Sequence, residues 1–315
     1  NEESISSEGK NRASLSNQSD FSWTLDNLIY YDKEFGKHSV GLTLLQSATG
    51  YHYEESSMAA EGIPLESAKW NALSKENVSL LDEWNSGLIE KQLLSYMFRV
   101  NYDYNNKYLL TVSGRWDGAS QLAEGNKWAF FPSAALGWRL DQEEFLKDVT
   151  WLNQLKFRLG VGVTGNSAID PYQTKGAIVS LYYPFGSALA PGYAASEPLI
   201  KDGAVAMANK NLSWEKTTQY NIGLDYSVLN GRISGVLDFY TSRTTDLLMA
   251  MTIPSLNGYT NTYANVGKTS NIGVDITLNT VNVKTRDFEW STSINAAWQK
   301  DKIDELANGK EDDIN

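Results

Sequence analysis

The sequence of 315 residues contains no cysteine and only two histidines, His38 and His52. The lack of cysteine excludes disulfides and thiolate metal sites, and two histidines leave little room for histidine-based metal or triad chemistry. No apolar run approaches the roughly 18 residues that a transmembrane helix needs. Basic residues are outnumbered, with a formal net charge of −11, which argues against nucleic acid as a partner.

Sequence motifs of enzymes are also missing. The chain has no GxSxG and no HExxH pattern, and its alternating glycines near position 162 lie along a predicted strand instead of at a phosphate loop. The adjacent carboxylates Glu54–Glu55 and Glu143–Glu144 fall at a loop edge and in a turn, where surface charges are common. We therefore expect that this protein is not an enzyme.

What the chain does contain is a strict alternation of large apolar residues with small or polar ones, in segments of about ten residues. In one segment Ile222 and Leu224 alternate with Asn221, Gly223 and Asp225. Successive side chains of a strand point to opposite faces, so each segment has one apolar and one polar face. The chain also has 10 Trp and 17 Tyr, which favour membrane interfaces. The pattern is typical of a transmembrane β-barrel.

Ten strands are predicted, and the connections between them alternate in length. The strands are 20–31, 37–53, 90–104, 107–117, 127–140, 151–164, 214–228, 231–244, 267–280 and 286–299. Outer-membrane barrels have short periplasmic turns and long extracellular loops, so we expect 54–89 and 165–213 to be long extracellular loops. Among the short connections, Asn230–Gly231 predicts a type I′ hairpin.

Periodicity alone does not distinguish a barrel from a soluble β-sandwich, in which the apolar face would point inward. A basic side chain facing lipid at mid-bilayer costs roughly 2–4 kcal/mol, and the outward-facing sets of the predicted strands 107–117, 151–164 and 286–299 carry no charge. The alternating loop lengths and the aromatic residues at strand ends favour the barrel.

Several sequence blocks resemble the SusC/RagA family of TonB-linked outer-membrane transporters of the Bacteroidetes. The most specific are NYDYNNKYLL at 101–110 with RWDGAS at 115–120, LSWEKTTQYNIG at 212–223 and NIGVD at 271–275. Further blocks at 131–139, 155–166, 240–248 and 265–267 follow in the family's order, so that the resemblance covers about 90–300. Trp116 and Gln121 depart from the pattern, since basic residues are common there in the family.

The resemblance implies a 22-stranded barrel around an N-terminal plug. We therefore expect 1–315 to be part of the TonB-dependent receptor β-barrel domain, an all-β antiparallel transmembrane segment with long extracellular loops. The plug domain and closing strands would lie outside it. The chain starts at Asn1 without Met or a signal peptide, which leads us to expect an internal fragment of a longer chain.

The resemblance also implies a function: import of nutrients, first of all oligosaccharides, across the cell outer membrane of a Gram-negative, Bacteroidetes-type bacterium. Energy would come from the TonB–ExbB–ExbD system through the missing N-terminal region, and a SusD-like surface lipoprotein would cover the outer mouth. The barrel would also contact membrane lipid and LPS. The alternatives are an oligopeptide importer of the same family and a passive porin or surface-binding barrel.

Two groups of candidate site residues follow. Aromatic rings in the long connections suit stacking on sugar rings: Trp70, Trp84, Tyr182, Tyr183, Tyr193, Tyr259 and Tyr263. Their alternative role is packing within the loops. Polar residues on the predicted lumen face are Arg99, Asp103, Arg115, Asp117, Arg158, Asp225 and Asp275. These would form either a polar path for solute or cross-strand ion pairs, and the recurrence of Arg and Asp at matching depths favours ion pairs.

We expect no cofactor and no metal centre. The acidic residues after the last predicted strand, among them Asp301, Asp304 and Glu305, offer the oxygen ligands that Ca²⁺ prefers. Their spacing lacks the EF-hand pattern, and a solvated outer loop is the favoured interpretation.

Overall fold

The computed structural model describes residues 12–61, 71, 80–175, 179–185, 188–194, 206–254, 259 and 261–306; for 80–84, 179–185, 188–194 and 206 it describes the backbone alone. Ten antiparallel strands form one sheet in the order β1-β2-β3-β4-β5-β6-β10-β11-β14-β15. No helix in these ranges is long and apolar enough to span a membrane.

The strands of the large sheet follow one another along the chain, so that neighbours in sequence are neighbours in the sheet. Their bounds are β1 Arg12–Phe35, β2 His38–Glu61, β3 Leu80–Tyr104, β4 Tyr108–Ala119, β5 Trp128–Arg139, β6 Leu152–Asn166, β10 Glu215–Val228, β11 Ile233–Thr245, β14 Lys268–Lys284 and β15 Glu289–Glu305. The ten strands predicted from the sequence are these ten.

Five shorter strands lie in two of the long connections. β7 (Val179–Phe185) pairs with β8 (Ala188–Ala194), while β12 (Leu248–Thr252) and β13 (Asn261–Asn265) form a three-stranded sheet with β9 (Ala206–Met207). These stretches lie in connections that we expected to be loops, and β7 and β8 contain Pro184 and Pro191. In a two-stranded ribbon both strands are edges, where proline is tolerated.

The residues divide into two compact units. One contains the described parts of 1–25 and 48–93, and the other contains 26–47 and the described residues from 94 onward. In the first unit Trp23 covers Gly50, whose added Cβ would lie 2.4 Å from the indole nitrogen. The second unit holds most of the large sheet.

The strands are longer than predicted where they leave the apolar pattern. β1 begins at Arg12 instead of 20, and β3 at Leu80 instead of 90. Residues 12–19 read RASLSNQS and lack large alternating apolar side chains. Backbone pairing continues there because a sheet ladder needs no apolar face.

The short connections match the prediction in position and differ in detail. Asn105 and Asn106 both have positive φ angles, 55° and 54°, as a type I′ turn requires. The predicted turn at Asn230–Gly231 is confirmed, since both residues have positive φ angles, 57° and 77°, although β10 already ends at Val228 and β11 begins only at Ile233. Leu229 also adopts a positive φ of 56°, and the four-residue loop is closed by a hydrogen bond from the Arg232 N–H to the Leu229 carbonyl.

Candidate functional site

The register of the sheet aligns the large apolar side chains in rows on one face, which we call the apolar face. Ile222 pairs with Leu159 on one side and Phe239 on the other, and Phe239 pairs with Val274. Ile222 is 46% exposed and Leu136 is 55% exposed. Proteins that fold in water normally bury their large apolar side chains. A whole sheet face of exposed apolar side chains is therefore expected to contact an apolar medium or partner. The β-sandwich alternative is therefore wrong.

The opposite face, which we call the charged face, carries ion pairs. Arg158 on β6 donates to Asp225 on β10 at 2.9 Å and to Asp238 on β11 at 3.0 Å. It reaches the second strand by passing over Gly223, where an added Cβ would lie 2.6 Å from both the Arg158 guanidinium and Asp238. One arginine thus ties three strands together.

Replacing Arg158 with methionine should lower the free energy of unfolding by about 1–3 kcal/mol, because two carboxylates lose their shared cation. The side chains are 30% and 23% exposed, so solvent screens part of the loss. Urea unfolding of the detergent-solubilised protein measures it. Lys284→Met, which breaks an exposed pair with Glu289, is the control and should cost no more than about 0.5 kcal/mol. Equal effects of the two changes would contradict the bridging role.

The other predicted lumen residues behave differently from one another. Arg115 forms its ion pair with Asp117 on its own strand at 2.7 Å and donates to the buried Ser95 on β3 at 2.8 Å. The cross-strand ion pair that we expected for Arg115 is therefore replaced by a pair within one strand. Asp103 instead accepts the backbone N–H of Asn106 in the adjacent turn.

Arg99 and Asp275 are exposed and form no ion pair with another residue in the described part of the chain. Asp275 lies opposite Asp238 in the β11–β14 register, so two carboxylates neighbour each other while Arg158 binds only one of them. The structure therefore brings Arg158 and Asp225 together and leaves Asp275 outside the ion-paired group.

The connection between β5 and β6 holds two half-buried residues with well-shielded carboxylates, Asp141 and Glu143. The prediction of a surface charge at Glu143 is therefore wrong. Glu143 accepts hydrogen bonds from the Tyr108 hydroxyl, the Trp138 indole and the Lys107 ammonium. Asp141 accepts from Arg139, Gln142 and the Leu155 N–H. Burial raises the pKa of Asp141, but these donors outweigh it, so its pKa lies below the ordinary value.

A lowered carboxyl pKa makes a testable difference in acid. Asp141 stabilises the fold above its unfolded pKa of about 3.9, and this contribution is lost as pH falls through the lower folded-state pKa. Asp141→Asn should therefore cost about 1–2 kcal/mol at pH 7, as expected for hydrogen bonds to a charged group. The difference from the unchanged protein should shrink in urea unfolding at progressively lower pH. A difference that stays constant down to pH 2 would contradict the assignment.

At the ends of the strands remote from these short connections, chain segments far apart in sequence pack into one group, which we call the connection scaffold. Its buried apolar residues are Ala119, Leu122, Ala123, Phe131, Ile169, Leu212 and Trp214. The Trp214 indole donates to the Lys127 carbonyl at 2.9 Å, and its ring meets Phe131 edge to face. Trp214 is only 4% exposed.

Asn265 links this scaffold to the small three-stranded sheet. Its side chain accepts from the Ser213 N–H and donates to the Ser213 and Asp246 carbonyls. Asn209 likewise donates to the Tyr263 carbonyl. The connections are therefore preorganised surfaces. Asn265 and Trp214 were not predicted as site residues, although both lie in the sequence blocks that carried the family resemblance.

The predicted aromatic residues are distributed over several elements. Tyr182 lies opposite Pro191 in the β7–β8 hairpin, Tyr183 lies opposite Ala190, and Tyr193 opposite Ser180. The backbone of Trp84 lies in β3, while Trp70 lies outside the described residues. Tyr263 is on β13 and half-buried, as is Tyr259 just before it. Their contact with substrate stays a prediction.

The histidines and the C-terminal acids have protein partners. In the first unit, His52 lies between Glu90 and Glu54, with both nitrogen–oxygen distances 3.1 Å. His38 hydrogen-bonds the Tyr102 hydroxyl. The prediction of an outer loop at Asp301 and Asp304 is wrong, because both lie on β15, where they accept hydrogen bonds from Asn271 and Ser270. Among the described residues no cluster of three or more His, Asp or Glu is placed to hold a metal.

Comparison with known proteins identifies the family to which this chain is related. Residues 3–315 match the family described as "TonB dependent receptor-like, beta-barrel". TonB-dependent receptor SusC of Bacteroides thetaiotaomicron is 38% identical over 255 residues, which is 78% of this chain and 24% of SusC. TonB-dependent receptor P3 of Formosa agariphila is 33% identical over 287 residues, or 90% of this chain and 27% of that protein.

Among solved structures, the RagAB peptide transporter superposes with a TM-score of 0.82 at 24% identity, covering 96% of this chain and 32% of the other. The outer membrane transporter YddB from Escherichia coli superposes with a TM-score of 0.58 at 11% identity, covering 94% of this chain and 35% of the other. The chain thus spans about a quarter of the length of its curated relatives. This chain belongs to the TonB-dependent receptor-like β-barrel family.

Proposed function

We propose that these residues form part of the wall of a SusC-like nutrient importer in the outer membrane of a Gram-negative bacterium. The observation that carries the proposal is the two-sided sheet: an exposed apolar face suits lipid, and the charged face behind it suits a polar interior. In this proposal, the plug and the TonB-contacting segment are supplied by the rest of the protein.

Oligosaccharides are the proposed cargo. The family resemblance of the sequence blocks implies oligosaccharides first, and the β7–β8 hairpin contains tyrosines, whose flat rings suit sugars. Oligopeptides are the second candidate, because the solved relative with the TM-score of 0.82 is described as a peptide transporter. The connection scaffold supports a further part of the proposal, since an ordered outer rim is what a SusD-like lipoprotein lid would need.

A deletion strain complemented with the full-length gene tests the proposal. We expect growth on defined oligosaccharides as sole carbon source, loss of that growth without TonB, and no growth advantage on oligopeptides. TonB-independent growth would point to a passive porin, and growth on peptides alone would establish the second candidate.

The proposed contact of Tyr182 and Tyr183 with sugar can be tested by substituting both residues. Tyr182→Ala/Tyr183→Ala should reduce the rate of oligosaccharide uptake several-fold, since stacking on each ring is lost. Tyr182→Phe/Tyr183→Phe keeps both rings and should retain uptake. If the alanine and phenylalanine variants import equally well, these tyrosines do not contact the sugar.

A further inference from the structure

The apolar face ends abruptly in a band of basic residues. In the row of Ile222, Phe239 and Val274, β15 contributes Trp298. One row nearer the long connections, Lys300 stands opposite Ile272. In the next row Ser270 lies between Arg243 and Lys302. Each row is two residues, or about 6.6 Å, further along the strands.

Five basic side chains belong to this border, which we call the basic rim: Lys216, Arg243, Lys268, Lys300 and Lys302. Two acids touch it, because Glu305 pairs with Lys268 and Asp304 lies near Arg243 and Lys302. Five positive and two negative groups leave an excess of three positive charges among the described residues. The whole chain has a net charge of −11, so this concentration of positive charge is local.

The cations at the centre of the rim are weakly neutralised. Asp304 is 3.9 Å from Arg243 and also 3.9 Å from Lys302, beyond hydrogen-bonding distance. The Arg243 side chain is 62% exposed. Lys300 is exposed and forms no ion pair with any residue that the structure describes. Donors are therefore available on the surface that borders the apolar face.

We propose that the basic rim binds the phosphate groups of a phosphorylated lipid in the outer leaflet, with its acyl chains lying against the apolar face. Arginine and lysine bind phosphate through charge-assisted hydrogen bonds. The continuity of the rim with the apolar rows fits a ligand that has an anionic head and apolar tails. This inference rests on the proposed membrane location and adds a specific headgroup site on β11 and β15.

Native mass spectrometry of the full-length protein, incubated in detergent with bis-phosphorylated lipid A, tests the site. The variant Arg243→Gln/Lys300→Gln/Lys302→Gln should bind lipid A at least about tenfold more weakly, since each basic residue beside an anionic surface contributes several-fold. Asp304→Asn should strengthen binding, because it removes the acid next to two of the cations. The control Arg232→Gln/Lys284→Gln/Arg286→Gln changes the charge equally at the short-connection ends of the same strands and should bind as the unchanged protein.

Three results would overturn the proposal: equal binding by the rim variant, equal binding of lipid A without phosphates, or displacement of lipid A by millimolar inorganic phosphate. Heat-dependent gel migration shows separately whether each variant is a folded barrel. Failure of the unchanged protein to fold as one would contradict the membrane location, whereas a folded barrel without a lipid difference contradicts only the headgroup site.

Discussion

Replacing Trp214 with alanine is expected to destabilise the connection scaffold by about 3–5 kcal/mol, the range for removing a buried tryptophan. The ring is 4% exposed and packs on Phe131. Its indole N–H also donates a hydrogen bond to the carbonyl of Lys127, the residue just before β5. The change therefore removes packing and a hydrogen bond between segments that are 87 residues apart.

Limited proteolysis and urea unfolding together measure this effect. We expect faster cleavage within 118–127 and 206–214, because the Ala123 N–H to Leu212 carbonyl bond depends on the packing around Trp214. Trp298→Ala is the matched control: this tryptophan is 57% exposed on the apolar face and should leave cleavage of the connections unchanged. Equal cleavage in the two variants would contradict a scaffold centred on Trp214.

The second large effect is expected from a charge on the apolar face. Ile222→Arg should cost about 2–4 kcal/mol if this residue faces the middle of a bilayer. Ile222 lies midway between Lys216, in the basic rim, and Val228, at the end of β10. Its neighbours Leu159 and Phe239 offer no group that could neutralise an arginine.

Gln219→Arg provides the control on the same strand, since Gln219 is exposed on the opposite face. The amount of heat-modifiable folded protein in the membrane should fall for Ile222→Arg and stay unchanged for Gln219→Arg. A reduced yield for both variants would indicate a general intolerance of β10 to arginine and would count against a lipid-specific cause.

The ten strands of the sheet could be predicted because each has one apolar and one polar face, which makes apolar and polar residues alternate along the sequence. Extensions of these strands, such as residues 12–19, could not be predicted, because the apolar and polar residues do not alternate there. The sequence also did not predict β7 and β8, whose prolines are tolerated only because both strands are edges.

The presence of a charged face could be predicted from the sequence, but most of its ion-pair partners could not. Arg158 and Asp225 were both expected on one face, but the bond to Asp238 depends on a register between strands and on the missing side chain at Gly223. Arg115 pairs within its own strand instead of across strands, because its carboxylate partner is Asp117, two residues away. The scaffold role of Trp214 could not be derived from periodicity, since its contacts join distant segments.

Single-cysteine labelling of β10 tests the lipid-facing assignment most directly, because these 315 residues contain no cysteine. Cysteines placed at Gln219, Asn221, Ile222 and Leu224 are treated with a membrane-impermeant maleimide in intact outer membranes, and again after denaturation as a control for total thiol. We expect labelling at 219 and 221 and protection at 222 and 224. Labelling of 222 and 224 to the same extent as 219 and 221 would contradict it.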